Sequence, residues 1–515
     1  MAQRSVRAGA LFAAVVVLAI AAHVYFFNAP PCIDEGDFAN TGRILLRGGA
    51  MYRDAFNEKG PGIYWLTAAL FGAFGDRLAV VRGAAAAANL ATLALLWLAC
   101  VRLQRRAAAA PAALLFLAAE FILQGNFWRP ETVLAPVLLA AFVFLASGDE
   151  NVRGRAAQAA AGIAFCAATL IKQTAWLPVV ALIAMLAVDV RRQRRAMPWA
   201  LAAGFVAPWV VVLAVEAARG GLGVFLAGYL FPLHGFVTAS YVHAPRREIF
   251  FQQLPIWWIA LAAWLIFRRS SLGAADKRLW RTLTLGALAM TLPAFFNYHF
   301  LPALAFAALG FALPAAEWRA APQRRAAVVA LAGLLALAVA SLPFDPLYNV
   351  REGLIESNNA DPTSHAAGVA LVVREMTQPG DPIFVFPHNS IYYYLADRRP
   401  PGRYGFLLPW VTPPAAVREV VADMAAHPPR AILFNYFEVC MTNGARPKDY
   451  LAPLLEKIAA EYRVQRVFGN RVALLTPLPA DAPDAADARR ATRNLLFTDL
   501  DCRGVSAEQL AQLAR

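Results

Sequence analysis

Charge is scarce in this chain of 515 residues. Only 16% of them are Asp, Glu, Lys or Arg, where a soluble domain carries about 25%. With 59% hydrophobic residues and a mean hydropathy of +0.48, that shortage excludes an ordinary soluble protein and points to an integral membrane protein. Cysteine is sparse as well. The five present, Cys32, Cys100, Cys166, Cys440 and Cys502, have no metal-ligand spacing. Cys100 and Cys166 lie in apolar runs, where a free thiol behaves as a small hydrophobe, and Cys440 and Cys502 could pair in an oxidising compartment. A Walker A loop, a Gly-rich dinucleotide fingerprint in its proper context, kinase and serine-hydrolase signatures, and any internal repeat are all missing. Nucleotide-driven chemistry on the inner face of the membrane is therefore not expected.

What is present is a series of apolar runs. The first, Leu11 to Phe27, follows Arg4 and Arg7 and is longer than a usual signal-peptide core, so a retained signal anchor is expected. Further spans are expected at 80–101, 108–125, 131–148, 157–171, 174–190, 198–217, 249–267, 282–297, 299–317 and 325–343, about eleven in all at roughly 20 residues each. The net charge of +14 is concentrated in short loops between these runs: Arg102/Arg105/Arg106, Arg153/Arg155, Arg191–Arg195, Arg268–Arg281 and Arg319–Arg325. If the helices alternate, all of these fall on one side, which the positive-inside rule makes the cytoplasm; nucleic acid is not the expected partner. The other side receives Asp34–Lys59, Asn126–Glu131, Lys172-Gln173, a loop at 218–248, Asn297-Tyr298-His299 and everything after about residue 344.

Within residues 28–79, Phe38, Leu45 and Leu46 with Arg43 and Arg47 predict a short amphipathic helix lying at the interface. Pro61 suits the first turn of a second, partly inserted helix carrying Ile63, Leu66, Leu70 and Phe74. After residue 344, short apolar strands at 383–386 and 431–434 alternate with helical stretches at 417–426 and 451–462, and a closing strand pair surrounds Gly469-Asn470. That alternation predicts a small α/β domain. The expected organisation is a polytopic α-helical membrane domain (1–343), an outer-face α/β domain (344–476), and a linker with a polar tail (477–515).

The charged residues on the outer side are the candidates for chemistry. Asp34, Glu35 and Asp37 directly follow the first span. They suit the start of a helix, whose dipole favours carboxylates; they equally suit a general base with helpers, since transfer to a hydroxyl needs its proton removed. Lys59 is either a snorkelling cation or a partner for a departing phosphate. Arg129, Lys172, Arg246 and Arg247 are further cations, and His234, His243 and His299 are donors, on the same side. Three scattered histidines are weak evidence for a divalent metal, and no cofactor is expected. Glu131, in a first helical turn after Pro130, is costly beside hydrocarbon without a partner such as Arg129 or a polar cavity. Tyr64 and Tyr298 either line that cavity or anchor the interface.

These residues resemble the GT-C superfamily of polyprenyl-phosphate-sugar glycosyltransferases, family 39 type, which includes protein O-mannosyltransferases and lipid A aminoarabinose transferases. Asp34-Glu35 looks like that family's acidic motif, and Glu58-Lys59-Gly60-Pro61-Gly62-Ile63-Tyr64-Trp65 like its Lys-Pro-aromatic motif, with Gly60 where the aminoarabinose branch has proline. Gly162 through Lys172-Gln173 is similar to a recurring segment of bacterial members. The resemblance implies inverting transfer: an acceptor hydroxyl on a lipid, glycan or protein attacks the anomeric carbon, Asp34 is the base, and the polyprenyl phosphate departs toward Lys59, Arg129, Lys172 and His299. It also implies that many members need no metal. The expected location is the plasma (inner) membrane, with a cytoplasmic N-terminus by the positive-inside rule. A transporter or flippase for lipid-linked sugars, an envelope polysaccharide polymerase or ligase, and a non-catalytic assembly protein remain as alternatives.

Overall fold

The computed structural model of the protein describes residues 2–28, 31–146, 154–193, 197–238, 270, 272–291, 297–318, 366–409, 412–436, 446–469, 471–498 and 506–513. The expected spans 249–267 and 325–343, His243, Arg246, Arg247 and the Cys440–Cys502 pairing lie outside these residues, as does the side chain of His234.

Helices, most of them apolar, make up the first part: α1 (Ala2–Tyr25), α2 (Ile33–Leu46), α3 (Pro61–Phe74), α4 (Leu78–Arg102), α5 (Ala109–Glu120) and α6 (Pro130–Leu145). They continue with α7 (Arg155–Ile171), α8 (Trp176–Gln193), α9 (Trp199–Ala218), α10 (Leu222–Thr238), α11 (Ala274–Ala289) and α12 (Leu301–Trp318). Among the described residues, Val6–Tyr25, Leu78–Arg102, Gln173–Arg192 and Trp199–Ala218 are long and apolar enough to cross a membrane. Their exposed faces carry Val17, Val180, Val211 and similar side chains, as a hydrocarbon solvent requires. A core running through Phe116, Phe142, Phe165, Leu134 and Phe306 joins α4–α7 to α12.

The C-terminal part comprises α13 (Ala366–Met376), β1 (Ile383–Phe386), α14 (Ile391–Ala396), α15 (Pro414–Ala426), β2 (Ala431–Asn435), α16 (Ala452–Glu461), β3 (Tyr462–Val467), β4 (Val472–Pro477), α17 (Ala485–Phe497) and α18 (Ala507–Leu513). The sheet order is β1-β2-β4-β3, with β1 parallel to β2, Val385 opposite Leu433, and the rest antiparallel. Every residue of β1 and β2 is buried, so both faces of that strand pair are covered, the usual condition of parallel strands.

Three expectations need correction. The region 218–248 is not a loop throughout, because 222–238 form α10, whose composition is strongly apolar. The stretch 477–515, expected as a linker with a polar tail, carries α17 and α18 among its described residues. Thr492, Leu495 and Leu496 on α17, and Leu510 on α18, are buried, most of them in the core under the sheet. Nor does α2 lie on a surface: Glu35 to Gly42 are buried on every face. The covering element is α14, which approaches so closely that a Cβ on Gly36 would sit 2.5 Å from the Ile391 nitrogen. Arg43 and Arg47, expected to face the interface, instead bond the C-terminal domain. Arg43 donates to the Tyr394 carbonyl at 2.6 Å and pairs with Asp76 at 2.5 Å, and Arg47 meets Asp397 at 2.8 Å.

Candidate active site

The site forms where the N-terminus of α2 meets the loop before α6. Glu35 fixes that junction. Its buried carboxylate takes both Arg82 contacts, at 2.6 and 2.7 Å, the Trp128 backbone N–H at 3.0 Å and the Cys32 backbone N–H at 3.2 Å. With those four contacts Glu35 has no lone pair left for a reacting proton. Of the three acids after the first span, expected as a base with helpers, it is the one whose oxygens are all taken up by protein groups. Removing Arg82 would strand a buried carboxylate at a cost of about 3–5 kcal/mol. Arg82 was not singled out in the sequence because it stands at the start of an apolar run.

The preceding loop is held by Asn89 Nδ2 donating to the Gly125 carbonyl at 2.7 Å, Thr132 Oγ1 to the Phe127 carbonyl at 2.9 Å, and Trp128 Nε1 to Thr67 Oγ1 at 2.8 Å. These contacts aim Arg129 at Asp34. Its Nε lies 3.4 Å from Asp34 Oδ2, and its guanidinium sits 3.9 Å from the Tyr298 ring centre. Although the residue is only 6% exposed, its Nε and Nη1 have no hydrogen-bond partner among the described residues. Lys59 Nζ lies 4.0 Å from the other Asp34 oxygen and 3.2 Å from Glu58. Burial alone would raise the Asp34 pKa, but Lys59 and then Arg129 outweigh it and hold the carboxyl down to about 2. Burial likewise opposes the Lys59 charge, and Glu58 and Asp34 together push its pKa well above the usual lysine value.

The Lys59 loop is placed by glycine. A Cβ at Gly60 would stand 2.1 Å from the Leu170 carbonyl oxygen, so the start of α3 can lie against the end of α7 only if no side chain intervenes. Tyr52 Oη donates to the Lys59 carbonyl at 2.9 Å, and Gln173 Nε2 donates to that of Glu58 at 3.2 Å.

Glu131 is buried beside the same loop. Its Oε1 bonds Lys172 Nζ and lies 3.4 Å from His299 Nε2, while Oε2 has no hydrogen-bond partner among the described residues. Tyr298 packs edge-on to His299, with ring centres 4.6 Å apart. Asp37, one turn beyond Asp34, is 2% exposed, and its Oδ2 lies 2.8 Å from Nε2 of His388. Tyr64 is fully buried nearby, and the Asp37 charge acts on its phenol. The structure thus gathers Asp34, Glu35, Asp37, Lys59, Tyr64, Arg129, Glu131, Lys172, Tyr298 and His299 around one junction. It adds Arg82 and His388. His388 comes from 351 residues further along the chain than Asp37. Its only sequence signal is its place just past a strand, in Pro387-His388-Asn389. No group of three or more His, Cys, Asp or Glu that could hold a metal occurs among the described residues.

The family model for dolichyl-phosphate-mannose-protein mannosyltransferases matches residues 58–215, a stretch that takes in Lys59, Arg129, Glu131 and Lys172. ArnT from Cupriavidus metallidurans, in its crystal structure bound to undecaprenyl phosphate, is 16% identical with a TM-score of 0.59 over 92% of this chain and 98% of that one. The chain has the GT-C fold. The apo ArnT structure shares this GT-C architecture at 16% identity and a TM-score of 0.54, over 91% and 97% of the two chains. The Archaeoglobus fulgidus oligosaccharyltransferase, in its complex with Zn and sulfate, matches at 14% identity and a TM-score of 0.48, over 91% and 74%. No curated protein sequence matches the chain. The resemblance read from Asp34-Glu35 and Glu58–Trp65 therefore leads to the right fold, that of the GT-C glycosyltransferases.

Proposed function

We propose that the chain transfers a sugar from a polyprenyl-phosphate donor to an acceptor hydroxyl at the outer face of the plasma (inner) membrane, with inversion. The observation that carries this reading is the Arg129–Asp34–Lys59 arrangement: one carboxylate between a half-buried ammonium and a buried guanidinium that has unsatisfied nitrogens. A buried guanidinium with free N–H groups suits a phosphate oxygen, which it meets in fork geometry. As the acceptor oxygen bonds to the anomeric carbon, the bond from that carbon to the phosphate oxygen breaks. The electron pair stays with the phosphate, against Arg129 and Lys59, and the acceptor proton passes to Asp34. Lys172 and His299 hold Glu131 in place beside the same loop, and the cations of this junction meet the donor's charge.

A carboxyl with a pKa near 2 is a weak base. Its acidity comes from Lys59 and Arg129, however, and a donor phosphate competes for those same cations. As the phosphate draws their charge, Asp34 regains basicity, so the base strengthens when substrate is in place.

Sidedness is part of the proposal. Asp189, near the end of α8, and Arg278, on α11, are paired at 2.7 Å, so the basic ends at 191–192 and 277–281 share one side. Arg129, Glu131 and Lys172 meet Asp34 and Lys59 at the other end of the bundle. The reading puts the basic side and the N-terminus in the cytoplasm and the α/β domain outside, with about eleven spans.

The test is in vitro transfer by purified protein in proteoliposomes, with labelled undecaprenyl-phosphate sugars and an envelope fraction as acceptor. Radiolabel covalently attached to acceptor is the expected result. Counterflow of the labelled lipid-linked sugar without any covalent product would replace the transferase reading by a flippase.

A further inference from the structure

The pairing of Asp37 with His388 is not used by the transfer chemistry above, and it joins the two parts of the protein at the site. Asp34 and Asp37 are three residues apart on α2 and therefore neighbours on one face. Asp37 Oδ2 is engaged by His388 at 2.8 Å, while its Oδ1 is buried without a hydrogen-bond partner among the described residues. The phenol oxygen of fully buried Tyr64, on α3, is in the same condition. Leaving such an atom unmet costs about 1–3 kcal/mol, so two of them, on residues close enough for the Asp37 charge to act on the Tyr64 phenol, need a reason. Burial, reinforced by the Asp37 charge, raises the Tyr64 pKa, while Lys59 lowers it; the net rise keeps the phenol protonated and able to donate.

His388 is delivered deliberately. It stands just past the carboxyl end of β1, beside Asn435 at the end of parallel β2, whose Nδ2 donates to the His388 carbonyl at 3.2 Å. In open α/β sheets this is the edge at which ligands are met. Asn389, the next residue, is held at φ 131°, a strained conformation that costs about 1–3 kcal/mol and is found chiefly where function demands it. The Phe406 ring closes the other side of the imidazole, edge-on at 5.0 Å.

A free carboxylate oxygen and a free phenol together match one chemistry, a hydroxyl that donates to the first and accepts from the second. A phosphate would be repelled by Asp37. We propose that Asp37 Oδ1 and Tyr64 Oη recognise a ring hydroxyl of the sugar on the lipid-linked donor, and that His388 is the positioning residue that holds Asp37 for it. The inference rests on the lipid-donor reading above. It assigns choice of sugar to this pair, whereas Arg129 and Lys59 see the phosphate that every donor shares. It also makes the C-terminal domain part of the site. Buried polar groups of this kind reject a ligand lacking the matching hydroxyl far more strongly than an apolar wall does.

The experiment measures binding of undecaprenyl phosphate and of its mannosyl, glucosyl, galactosyl and arabinosyl forms to full-length protein in nanodiscs. Wild type is expected to bind at least one sugar-bearing form tenfold or more tighter than the bare carrier. Tyr64→Phe and His388→Leu should erase that preference while bare-carrier affinity stays within twofold. His388→Gln, whose amide nitrogen can stand in for Nε2, should restore it, which a purely packing role would not require. If His388→Leu does not fold, Tyr64→Phe, which deletes a single oxygen, carries the test alone. Retained preference in Tyr64→Phe overturns the inference, as does equal loss of bare-carrier binding or an effect confined to acceptor KM. Wild type that binds no undecaprenyl phosphate at all sinks the lipid-donor reading itself, and this inference with it.

Discussion

Arg129 places its Nε 3.4 Å from Asp34 Oδ2 and leaves two of its buried guanidinium nitrogens without a hydrogen-bond partner among the described residues. A cation used only to balance a carboxylate would spend its fork on that carboxylate. This one is stacked on Tyr298 and leaves two nitrogens open, which the proposed donor phosphate would use.

Asp34→Asn should lower transfer by about 10²–10⁴-fold, the usual range for loss of a general base, while the protein still inserts and folds. Single-turnover transfer from an undecaprenyl-phosphate sugar, with thermal unfolding alongside, checks both halves. Transfer at the wild-type rate would remove Asp34 from its role.

Arg129→Lys should weaken donor binding nearly as much as Arg129→Ala, by roughly tenfold or more, because a point charge replaces neither the fork nor the stacking on Tyr298. Lys59→Ala should also raise the donor Kd. Titration with undecaprenyl phosphate is the measurement, and full rescue by lysine at position 129 would contradict the fork assignment.

The pH profile has a definite sign. With a native pKa of about 2 against an ordinary 3.8, Asp34 adds stability above pH ~4 that is lost as pH falls toward 2. The acid limb of kcat/KM, which reports the free enzyme, should therefore lie below pH ~4 as far as Asp34 is concerned. Once donor phosphate engages Lys59 and Arg129, the limb in kcat should move upward. Coincident limbs in the two profiles would show that the donor does not compete for those cations.

Glu131→Gln should destabilise the protein by about 3–5 kcal/mol, because it leaves Lys172 buried without its carboxylate. The double change Glu131→Leu with Lys172→Leu should recover most of that loss in thermal unfolding without recovering transfer. Recovery of both would make the pair purely structural.

Gly60→Ala should lower both stability and donor affinity, since its Cβ has the Leu170 carbonyl oxygen 2.1 Å away and α3 must shift, carrying Lys59 with it. A structure of the variant showing α3 unmoved would refute the packing argument.

The parts of the site that could be read from sequence are those whose chemistry conflicts with their surroundings. Asp34, Lys59, Glu131 and Lys172 are charges at the borders of apolar runs, and hydrocarbon makes every such charge conspicuous. Arg82 escaped notice because one arginine at the start of a long apolar helix looks like an interfacial anchor; its bond to Glu35 is a tertiary fact. His388 escaped because nothing local links it to a carboxylate 351 residues away. The strands read at 383–386 and 431–434 are legible from their apolar runs, the second extending one residue further to Asn435, whereas α17 is not. Its apolar residues, Leu495 and Leu496, come late, after a Pro- and Asp-rich approach that reads as linker. The helical nature of 222–238 was obscured by Gly223, Gly228 and Pro232.

The contact of Gly36 with the Ile391 backbone bears on how such a protein can change over generations. Two positions 355 residues apart behave as one locus, because a side chain gained at 36 can be tolerated only if the backbone at 391 retreats. Homologues that carry anything larger than glycine at 36 should show a compensating shift or deletion around 388–392. For the same reason, recombination that exchanges the C-terminal domain for another should yield inactive chimaeras unless the segment around residues 33–47 travels with it.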